Sequence, residues 1–465
     1  MELQKHGKIW TVGTLSYTSV GLIVLFCWLL TGDFAWSMKE RGVNSTATLL
    51  LKTFGVSDFV YSLLIVAYPS FTSIFLGPIV SYLSDRHRGP WGRRIPYLAF
   101  TTPFIVIGLL GLAFTPMLCD MFRELIGVEN ISRHTSGLLI FGIFWILLDL
   151  GTSLANVIFV ALVNDVVPEA FLGRFFGLFR ALSLGAGILF NFFLLGVAET
   201  YSMAIFLGLG VFYGIGFTLM CLKVKEGEYP PPPQEEIWNR GSSRMILAVK
   251  GYFRECFSLN YYRWVFAAHV IANLAPLPLN AYTIFYAQSL GVQMDSLGKY
   301  LALTYVVSFC LSYPLGMLAD RFHPVRTSLA AIFVYFLFSI AGFFCVKGQT
   351  SFAVVLILHG VISGCYGTLS SSYGQRLFPK SIFAQFNSAL MGLLFAGYTV
   401  IAPVVGKILD WIGNEYHYVF CAGGTLALIA TICFVVVLRK FQALGGDEHY
   451  QAPQPFFHTT KKIDG

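Results

Sequence analysis

Asp149 is the side chain of this 465-residue sequence that is best placed for chemistry in apolar surroundings. It stands about midway along an apolar run, and Thr152, Ser153 and Asn156 follow it at offsets of three, four and seven residues. These offsets place the four polar side chains on one face of a helix. A carboxylate inside a membrane is costly unless it faces protein or water, so it marks a site for a proton, a cation or a substrate. The alternative is a structural carboxylate that bonds to a neighbouring hydroxyl.

Arg180 repeats this pattern in the first turns of the next apolar run, with Asn191 eleven residues later on roughly the same face. Because it is close to the end of the run, Arg180 can instead extend its guanidinium to the membrane surface. Asp149, Asn156 and Arg180 are therefore the first candidates for a substrate or cation site.

The seventh apolar run is interrupted by two prolines, Pro276 and Pro278. Irregular backbone at membrane depth is tolerated where it lines a cavity or packs against protein. Asn273 and Asn280 stand on either side of the break, and Tyr282 follows. Amides hydrogen-bond hydroxyls in both directions and aromatic faces stack on sugar CH groups, so this segment is suited to a sugar. The asparagines can equally satisfy backbone groups that the prolines leave free.

His269 and His359 are further titratable candidates inside apolar runs, since an imidazole gains and loses a proton near neutral pH. A buried neutral histidine bonded to a backbone carbonyl is an equally ordinary interpretation. Tyr17, with Thr14 and Thr18 on one face of the first apolar run, is a candidate for contact with substrate. The sequence has no recognisable metal-ligand cluster, phosphate-binding glycine loop or nucleophile with its base, so we expect no metal, no cofactor and no enzymatic activity.

The composition requires most of the chain to lie in lipid. Hydrophobic residues make up 56% and charged residues 12% of the sequence, and the mean hydropathy is +0.69. The net charge of +7 is explained by Lys and Arg in cytoplasmic loops, so nucleic acid is not an expected partner. The nine cysteines are scattered and lack the paired spacing of a metal site or a disulfide set.

Twelve apolar runs reach the length of about 20 residues that crosses about 30 Å of hydrocarbon. They cover approximately 9–31, 58–83, 95–117, 137–163, 175–198, 201–222, 263–289, 297–319, 326–346, 351–375, 384–409 and 416–438. With both termini in the cytoplasm, 22 Lys and Arg fall on the inner side and eight on the outer side. We predict an N-terminal six-helix bundle over 1–222, a cytoplasmic linker over 223–262, a C-terminal six-helix bundle over 263–440 and a cytoplasmic tail over 441–465.

Two loops carry related sequences at equivalent places in the two halves. The second run ends in Ser81-Tyr82-Leu83-Ser84-Asp85-Arg86, and the eighth ends in Gly316-Met317-Leu318-Ala319-Asp320-Arg321. A second pair of loops, Val167-Pro168 and Phe378-Pro379, follows the fourth and tenth runs. Two repeated pairs at matching positions indicate a duplicated architecture with parallel halves.

These two Asp-Arg loops resemble those of the major facilitator superfamily. The continuation of the first loop, Trp91-Gly92-Arg93-Arg94-Ile95-Pro96, is similar to the glycoside-pentoside-hexuronide cation symporters and to the sucrose-proton symporters. The first loop departs from the family in having Ser81 where glycine is usual. The resemblance implies an all-α membrane protein with twelve transmembrane helices in two pseudo-symmetric six-helix bundles, present as a monomer in a bacterial inner membrane.

The resemblance also implies a gate. In the family these loops latch the inner side while the cavity opens outward, which assigns that role to Asp85, Arg86, Arg93, Arg94, Asp320 and Arg321. A carboxylate at a helix end can face a neighbouring helix N-terminus, and arginines can reach carbonyl ends or lipid phosphates. Ordinary loop charge is the alternative, and it explains the arginines better than the repeated aspartates.

In the sugar-cation symporters an Asp in the fourth span and an Arg early in the fifth line the cavity, and Asp149 and Arg180 resemble them in position. The melibiose-type sodium site also uses acids within the second span, whereas Tyr61 to Leu83 contains none. We therefore expect proton-coupled symport of a sugar or glycoside across the lipid bilayer by alternating access, with Na⁺ or no ion as alternatives. The other candidates are transport of another small organic solute or an amphiphilic lipid, and a transporter-like nutrient sensor.

Overall fold

The computed structural model describes residues 9–128, 130–229, 252 and 254–454. In this part of the chain eleven helices are long and apolar enough to cross a membrane, or twelve if the bent pair Met294–Leu311 and Tyr313–Ala319 is one span. The predicted class, an all-α membrane protein with twelve membrane helices, is confirmed.

The chain divides into two compact units, which we call the N-terminal unit (Met1–Pro233 with Gln293–Ala302) and the C-terminal unit (Gln234–Val292 with Leu303–Gly465). The predicted boundaries at 222/223 and 262/263 stay predictions. Of the predicted linker, residues 230–251 and 253 lie outside the described residues.

Each unit is built from helices numbered here in chain order. The N-terminal unit has strands β1 (Trp10–Val12) and β2 (Leu15–Tyr17), then α1 (Ser19–Thr53), α2 (Asp58–Ser62), a π-turn (Leu63–Ala67), α3 (Tyr68–Arg86), α4 (Ile95–Ile126), α5 (Arg133–Val166), α6 (Glu169–Leu189), a second π-turn (Phe190–Leu194), a 3₁₀ turn (Leu195–Val197) and α7 (Ser202–Lys223). The C-terminal unit has α8 (Asn260–Leu274), α9 (Leu277–Ser289), most of α10 (Met294–Phe322), α11 (Pro324–Cys345), α12 (Gln349–Leu369), α13 (Tyr373–Leu377), α14 (Phe383–Trp411), α15 (Val419–Ala443) and α16 (Gly446–His449), with 3₁₀ turns at Lys380–Ile382 and Tyr416–Tyr418.

The start of the first span differs from the prediction of a helix from residue 9. Strands β1 and β2 pair as an antiparallel hairpin, and Gly13 in its turn has φ +55°, a conformation that glycine adopts without strain. Thr18 then caps α1, since its hydroxyl accepts a hydrogen bond from Gly21 N at 3.1 Å. The alternation of polar and apolar residues from Trp10 to Tyr17 is therefore a strand pattern.

The end of the first span also differs from the predicted residue 31. Helix α1 continues to Thr53, so Asp33, Lys39, Glu40 and Arg41 lie within it. The prediction ended the span at this group of charges because isolated charges are costly in lipid. The structure removes most of that cost by giving these side chains polar partners inside the N-terminal unit.

Helices α4 and α5 pack closely because glycines stand at their seam. A Cβ atom on Gly108 would lie 2.8 Å from Leu148 Cβ, and one on Gly151 would lie 2.8 Å from Ile105 Cγ1. Small residues at such seams let helix backbones approach each other in lipid. This seam fixes the rotation of α5, and with it the direction of Asp149.

The predicted break in the seventh span is present between α8 and α9. Helix α8 ends at Leu274 and α9 begins at Leu277, where Asn280 N donates to Pro276 O at 3.1 Å and restarts the helical pattern. Gly423 of α15 accommodates the break, because a Cβ there would lie 2.8 Å from Ala275 O.

Candidate functional site

Asp149 lies at the middle of α5, and only 8% of its surface is exposed. Thr72 of α3 donates to Asp149 Oδ2 at 2.9 Å. One turn along α5, Thr152 accepts a hydrogen bond from Lys39 Nζ of α1 at 3.1 Å. The buried Lys39 ammonium also lies 3.9 Å from the centre of the Trp36 ring. We call Lys39, Thr72, Asp149 and Thr152 the Lys39–Asp149 cluster.

The two charges of this cluster attract each other, although each bonds to a threonine hydroxyl and not to the other charge. Removing a single charge from a low-dielectric interior leaves its partner uncompensated, which is why buried charges occur in balanced groups. The aromatic face under Lys39 adds a cation–π attraction. Because the hydroxyls hold both groups in place, Asp149 can take up a proton while Lys39 keeps a hydrogen-bond partner.

Two more carboxylates of α1 lie at membrane depth. Asp33 is fully buried, and the Ser37 hydroxyl lies 3.5 Å from its Oδ1 atom. Glu40 is exposed and accepts a hydrogen bond from Trp36 Nε1 at 3.0 Å. An exposed carboxylate at this depth is tolerated where it faces water or protein rather than lipid.

The candidates on α5 and α6 lie on polar surfaces of the N-terminal unit. Asn156 is exposed on α5, two turns after Asp149. Arg180 is exposed on α6, one turn before Ser183, whose hydroxyl accepts from Arg41 Nη2 of α1 at 3.4 Å. Ser183 therefore ties α1 to the turn of α6 that carries Arg180.

Two residues singled out from the sequence have mainly structural contacts. Asn191 lies in the π-turn after α6, and its amide donates to Gly187 O at 2.7 Å. Tyr17 lies in β2 and not in a membrane helix, so its predicted location is wrong. Its hydroxyl has no hydrogen-bond partner among the described residues, and burial raises the pKa of Tyr17 to about 12.

The C-terminal unit contains a chain of three hydrogen-bonded groups that leads from the buried Tyr335 and His359 to the exposed Asn280. Tyr335 Oη of α11 lies 3.1 Å from His359 Nδ1 of α12, and His359 Nε2 lies 3.0 Å from Asn280 Oδ1 of α9. His359 is 1% exposed and Asn280 is exposed. We call these residues the Tyr335–His359–Asn280 chain.

The direction of hydrogen bonding in this chain follows from burial. The Tyr335 hydroxyl lies within hydrogen-bond distance of His359 Nδ1, and a buried hydroxyl that donates to nothing is costly. If Tyr335 donates to Nδ1, the proton of the neutral imidazole is on Nε2, and His359 donates to Asn280 Oδ1. The Asn280 amide then presents its two N–H donors at the exposed surface.

The other polar groups near the break favour structural roles. Asn273 Nδ2 donates to His269 O of its own helix at 2.8 Å. The His269 ring stacks on Tyr373 at 5.0 Å between centres, and its Nδ1 atom lies 3.4 Å from the Tyr366 hydroxyl. Both residues therefore satisfy neighbouring backbone or aromatic groups.

The cationic loop between α3 and α4 forms a compact group of ion pairs inside the N-terminal unit. Arg94 pairs with Asp85, and its Nε atom lies 2.9 Å from Asp165 Oδ2 at the end of α5. Arg93 Nη2 lies 2.6 Å from Asp165 Oδ1. In the second half, Arg321 is exposed at the end of α10, and the Asp320 side chain lies outside the described residues. A latch between the two bundles stays a prediction.

The segment that follows α7 completes this group. Glu226 accepts hydrogen bonds from the backbone N–H groups of Arg93, Arg94 and Ile95 at 3.0, 2.8 and 2.7 Å, so it caps the N-terminus of α4. Tyr229 donates to Glu226 Oε2 at 3.0 Å, and its ring centre lies 4.0 Å from the Arg93 guanidinium carbon. Burial, together with the Glu226 and Asp165 charges, raises the pKa of Tyr229, which keeps this hydroxyl protonated as a donor.

The sequence profile of the Major Facilitator Superfamily matches residues 9–382 and 277–459. The chain belongs to the Major Facilitator Superfamily.

An uncharacterized MFS-type transporter of Bacillus subtilis (strain 168), YxiO, is 25% identical over 368 residues, which is 74% of this chain and 78% of YxiO. A D-xylose–proton symporter structure has a TM-score of 0.63 at 13% identity, with 94% of this chain and 99% of that chain covered. A POT family transporter in complex with 5-aminolevulinic acid has a TM-score of 0.66 at 14% identity, over 92% and 98% of the two chains. These structures share the fold.

In this major facilitator transporter, sequence reasoning missed three residues that complete the polar groups: Lys39, Tyr335 and Glu226. Lys39 lies beyond residue 31, the predicted end of the first run, although the cap at Thr18 and the glycine after the helix end, Gly55, together indicate a longer helix. Tyr335 and Glu226 act through contacts between distant segments, for which the sequence carries no local pattern.

Proposed function

We propose that this major facilitator transporter couples the uptake of a sugar or glycoside to a proton, in the manner of the glycoside-pentoside-hexuronide or sucrose symporters. The proposal depends mainly on one observation, the buried Lys39–Asp149 cluster at the middle of α5. A buried carboxylate balanced by an ammonium changes its bonding when it takes up a proton, and such a change can be linked to a conformational change.

The charge of Lys39 favours a proton over Na⁺. A sodium ion beside Asp149 would add a second positive charge close to the Lys39 ammonium, whereas a proton neutralises the carboxylate and adds no separate cation. Oxygen ligands from several residues are what a hard cation requires, and here Asp149 is already bonded by Thr72.

The Tyr335–His359–Asn280 chain supports a substrate with hydrogen-bond acceptors. The Asn280 amide presents N–H donors at an exposed position, and its carbonyl oxygen is held by His359. Sugar hydroxyls accept such bonds and also donate to neighbouring acceptors. Asn156 and Arg180 on the N-terminal unit are further candidates for contact with substrate.

The test uses protein reconstituted in proteoliposomes with an imposed pH gradient. Asp149→Asn is expected to abolish accumulation against a gradient while exchange of labelled substrate across the membrane continues. Asp120→Asn is the matched control, because Asp120 is an exposed carboxylate near the end of α4. Undiminished uphill uptake by Asp149→Asn would exclude the coupling role.

The substrate is tested separately. A thermal-shift screen of sugars, glycosides and other metabolites is expected to give stabilisation by a sugar, followed by saturable uptake of that compound. Binding without flux would favour a nutrient sensor, and stabilisation by a different solute or an amphiphilic lipid would change the substrate class without changing the coupling test.

The gate and the topology are part of the same proposal. We place both termini in the cytoplasm of a bacterial inner membrane and treat the protein as a monomer. With labels at positions 170 and 380, Asp85→Asn is expected to increase the mean distance if the Asp85 loop latches the bundles. An unchanged distance with intact transport would leave Asp85 only its pairing with Arg94.

A further inference from the structure

A groove of about 1380 Å³ lies on the N-terminal unit between α4 and α7, and its lining includes no residue of the Lys39–Asp149 cluster. Small or short side chains of the two helices form its walls, at Ala99 and Pro103 of α4 and at Gly214 and Thr218 of α7. Its mouth is formed by the loop 88–92 and the segment 224–229.

The dimensions of this groove match one leaflet of a bilayer. Its wall along α4 runs from Ile95 to Val106, a rise of about 16 Å at 1.5 Å per residue. Half of a hydrocarbon core of about 30 Å is about 15 Å. Large apolar side chains beside the groove are exposed, including Phe100 on α4 and Leu222 on α7. Helix surfaces of this kind face lipid.

The mouth of the groove carries both signs of charge. Lys225 and Glu228 line it and are exposed, and neither side chain makes a hydrogen bond or ion pair with the described residues of the chain. Arg88 adds a second positive charge, and its guanidinium donates to the carbonyl oxygens of Asp85 and His87 at 2.7 and 2.8 Å. Trp91, 63% exposed, lies at the same level, as tryptophans do at membrane surfaces.

We propose that this groove binds one molecule of phosphatidylethanolamine. Its phosphate lies at Lys225 and Arg88, its ammonium donates to the Glu228 carboxylate, and one acyl chain follows the wall from Ala99 to Val106. Phosphatidylglycerol offers Glu228 no cation, and the trimethylated ammonium of phosphatidylcholine has no N–H to donate. The Lys225 and Glu228 charges at the mouth, which pair with no described residue, are thus complementary to a zwitterionic headgroup with a primary ammonium.

The same segment links the groove to the ion pairs of the Asp85 loop. Residues 224–229 all line the groove, and Glu226 and Tyr229 also fasten this segment to Arg93 and to the start of α4. A bound lipid therefore adds contacts that hold this segment against the loop.

The test counts lipids that stay with the purified full-length protein in native mass spectrometry, after reconstitution in equal amounts of ethanolamine, glycerol and choline phospholipids. Gly214→Val fills the groove, since a Cβ at Gly214 would lie 3.1 Å from Val106 Cγ2. Gly208→Val is the matched control on α7, because a Cβ there meets nothing within 4 Å. Lys225→Gln removes the phosphate contact, and Lys223→Gln, at the last residue of α7, is its control.

Wild type and both controls are expected to retain one ethanolamine phospholipid, Gly214→Val to lose it, and Lys225→Gln to hold it about fivefold more weakly. Glu228→Gln is expected to remove the preference for ethanolamine over glycerol headgroups. The proposal would be overturned if wild type retained the three lipids equally, or if Gly208→Val lost as much lipid as Gly214→Val.

A second experiment is photo-cross-linking. A benzophenone side chain at position 99 should capture phospholipid, and capture of a peptide from 230–250 of the same chain would assign the groove to that segment instead.

Discussion

The two units bury polar groups at membrane depth in different ways. The N-terminal unit holds charges, with Lys39 on α1 and Asp149 on α5, each bonded to a threonine hydroxyl. The C-terminal unit holds a neutral chain, in which Tyr335, His359 and Asn280 are linked by hydrogen bonds at 3.1 and 3.0 Å.

In the symport that we propose, this difference separates two tasks. A balanced pair of buried charges responds strongly to one proton, because protonating Asp149 leaves the Lys39 charge without its counter-charge. A neutral hydrogen-bonded chain responds weakly to pH but fixes the direction of one amide. We therefore infer that coupling depends on the Lys39–Asp149 cluster of the N-terminal unit, and that the Tyr335–His359–Asn280 chain of the C-terminal unit contributes to substrate recognition.

Removal of Lys39 is expected to have the largest effect. Lys39→Met leaves Asp149 without a counter-charge in an apolar interior, a change that typically costs about 3–5 kcal/mol when a buried pair is broken. We expect a large fall in the thermal unfolding midpoint and loss of uphill uptake in proteoliposomes.

The double variant Lys39→Met with Asp149→Asn distinguishes pairing from simple packing. Removing both charges is expected to restore most of the stability, and uphill uptake is expected to stay absent. Equal destabilisation in the single and double variants would mean that Lys39 and Asp149 act independently, and the contrast between the units would lose its basis.

Removal of the Tyr335 hydroxyl is expected to change recognition and leave coupling intact. Tyr335→Phe takes away the donor to His359 Nδ1, so the imidazole and the Asn280 amide lose their fixed orientation. We expect KM for substrate to rise about five- to tenfold, the range for one lost hydrogen bond, with accumulation still driven by the pH gradient.

Tyr313→Phe is the control, since Tyr313 is exposed on α10. If Tyr335→Phe abolished accumulation and left KM unchanged, the C-terminal unit would take part in coupling, and the division of tasks between the units would be wrong.

The sequence predicts those features that depend on length and local pattern. Asp149 is in the middle of its helix as expected, because both ends of that span are marked by loops. The break before α9 follows from Pro276, since proline cannot donate the hydrogen bond that a continuous helix needs.

The sequence fails where distant segments decide the outcome. The length of α1 depends on Thr152, which lies 113 residues from Lys39 and accepts its hydrogen bond. The orientation of Asn280 depends on His359, 79 residues away. A prediction from a single apolar run does not include partners on distant segments. It therefore ends the membrane span at charged residues, although the folded bundle accommodates these charges within the helix.

A second comparison concerns the segments that follow α7 and α15. Glu226 accepts three backbone N–H groups at the start of α4, while Asp447 Oδ2 lies 2.9 Å from Arg326 Nη2 near the start of α11, on an exposed surface. A helix cap contributes about 0.5–2 kcal/mol, and an exposed ion pair about 0–1 kcal/mol.

Glu226→Gln is therefore expected to lower the thermal unfolding midpoint by about 2–4 °C, and Asp447→Asn by less. Glu228→Gln, in the same segment as Glu226 and without its contacts, is expected to leave the midpoint in detergent unchanged. A larger effect of Asp447→Asn would show that the tail, and not the segment after α7, is the stronger attachment.

The smallest expected effect is a pH dependence confined to the C-terminal unit. His323 caps α11 with φ +66°, and its Nδ1 accepts from Val325 N at 3.3 Å, which requires an unprotonated nitrogen. Burial lowers the pKa of His323 below its usual 6.5, with Arg376 and Arg326 acting in the same direction and Asp447 opposing them. The folded state thus binds this proton less readily than the unfolded state. The stability that His323 contributes is complete above pH 6.5 and falls as the pH drops through the lowered pKa.

Between pH 8 and pH 5, acidification should lower the thermal unfolding midpoint by about 1–2 °C. His323→Asn should remove this decrease, because asparagine tolerates positive φ and caps without titrating. The same decrease in His323→Asn would assign the pH dependence to another group.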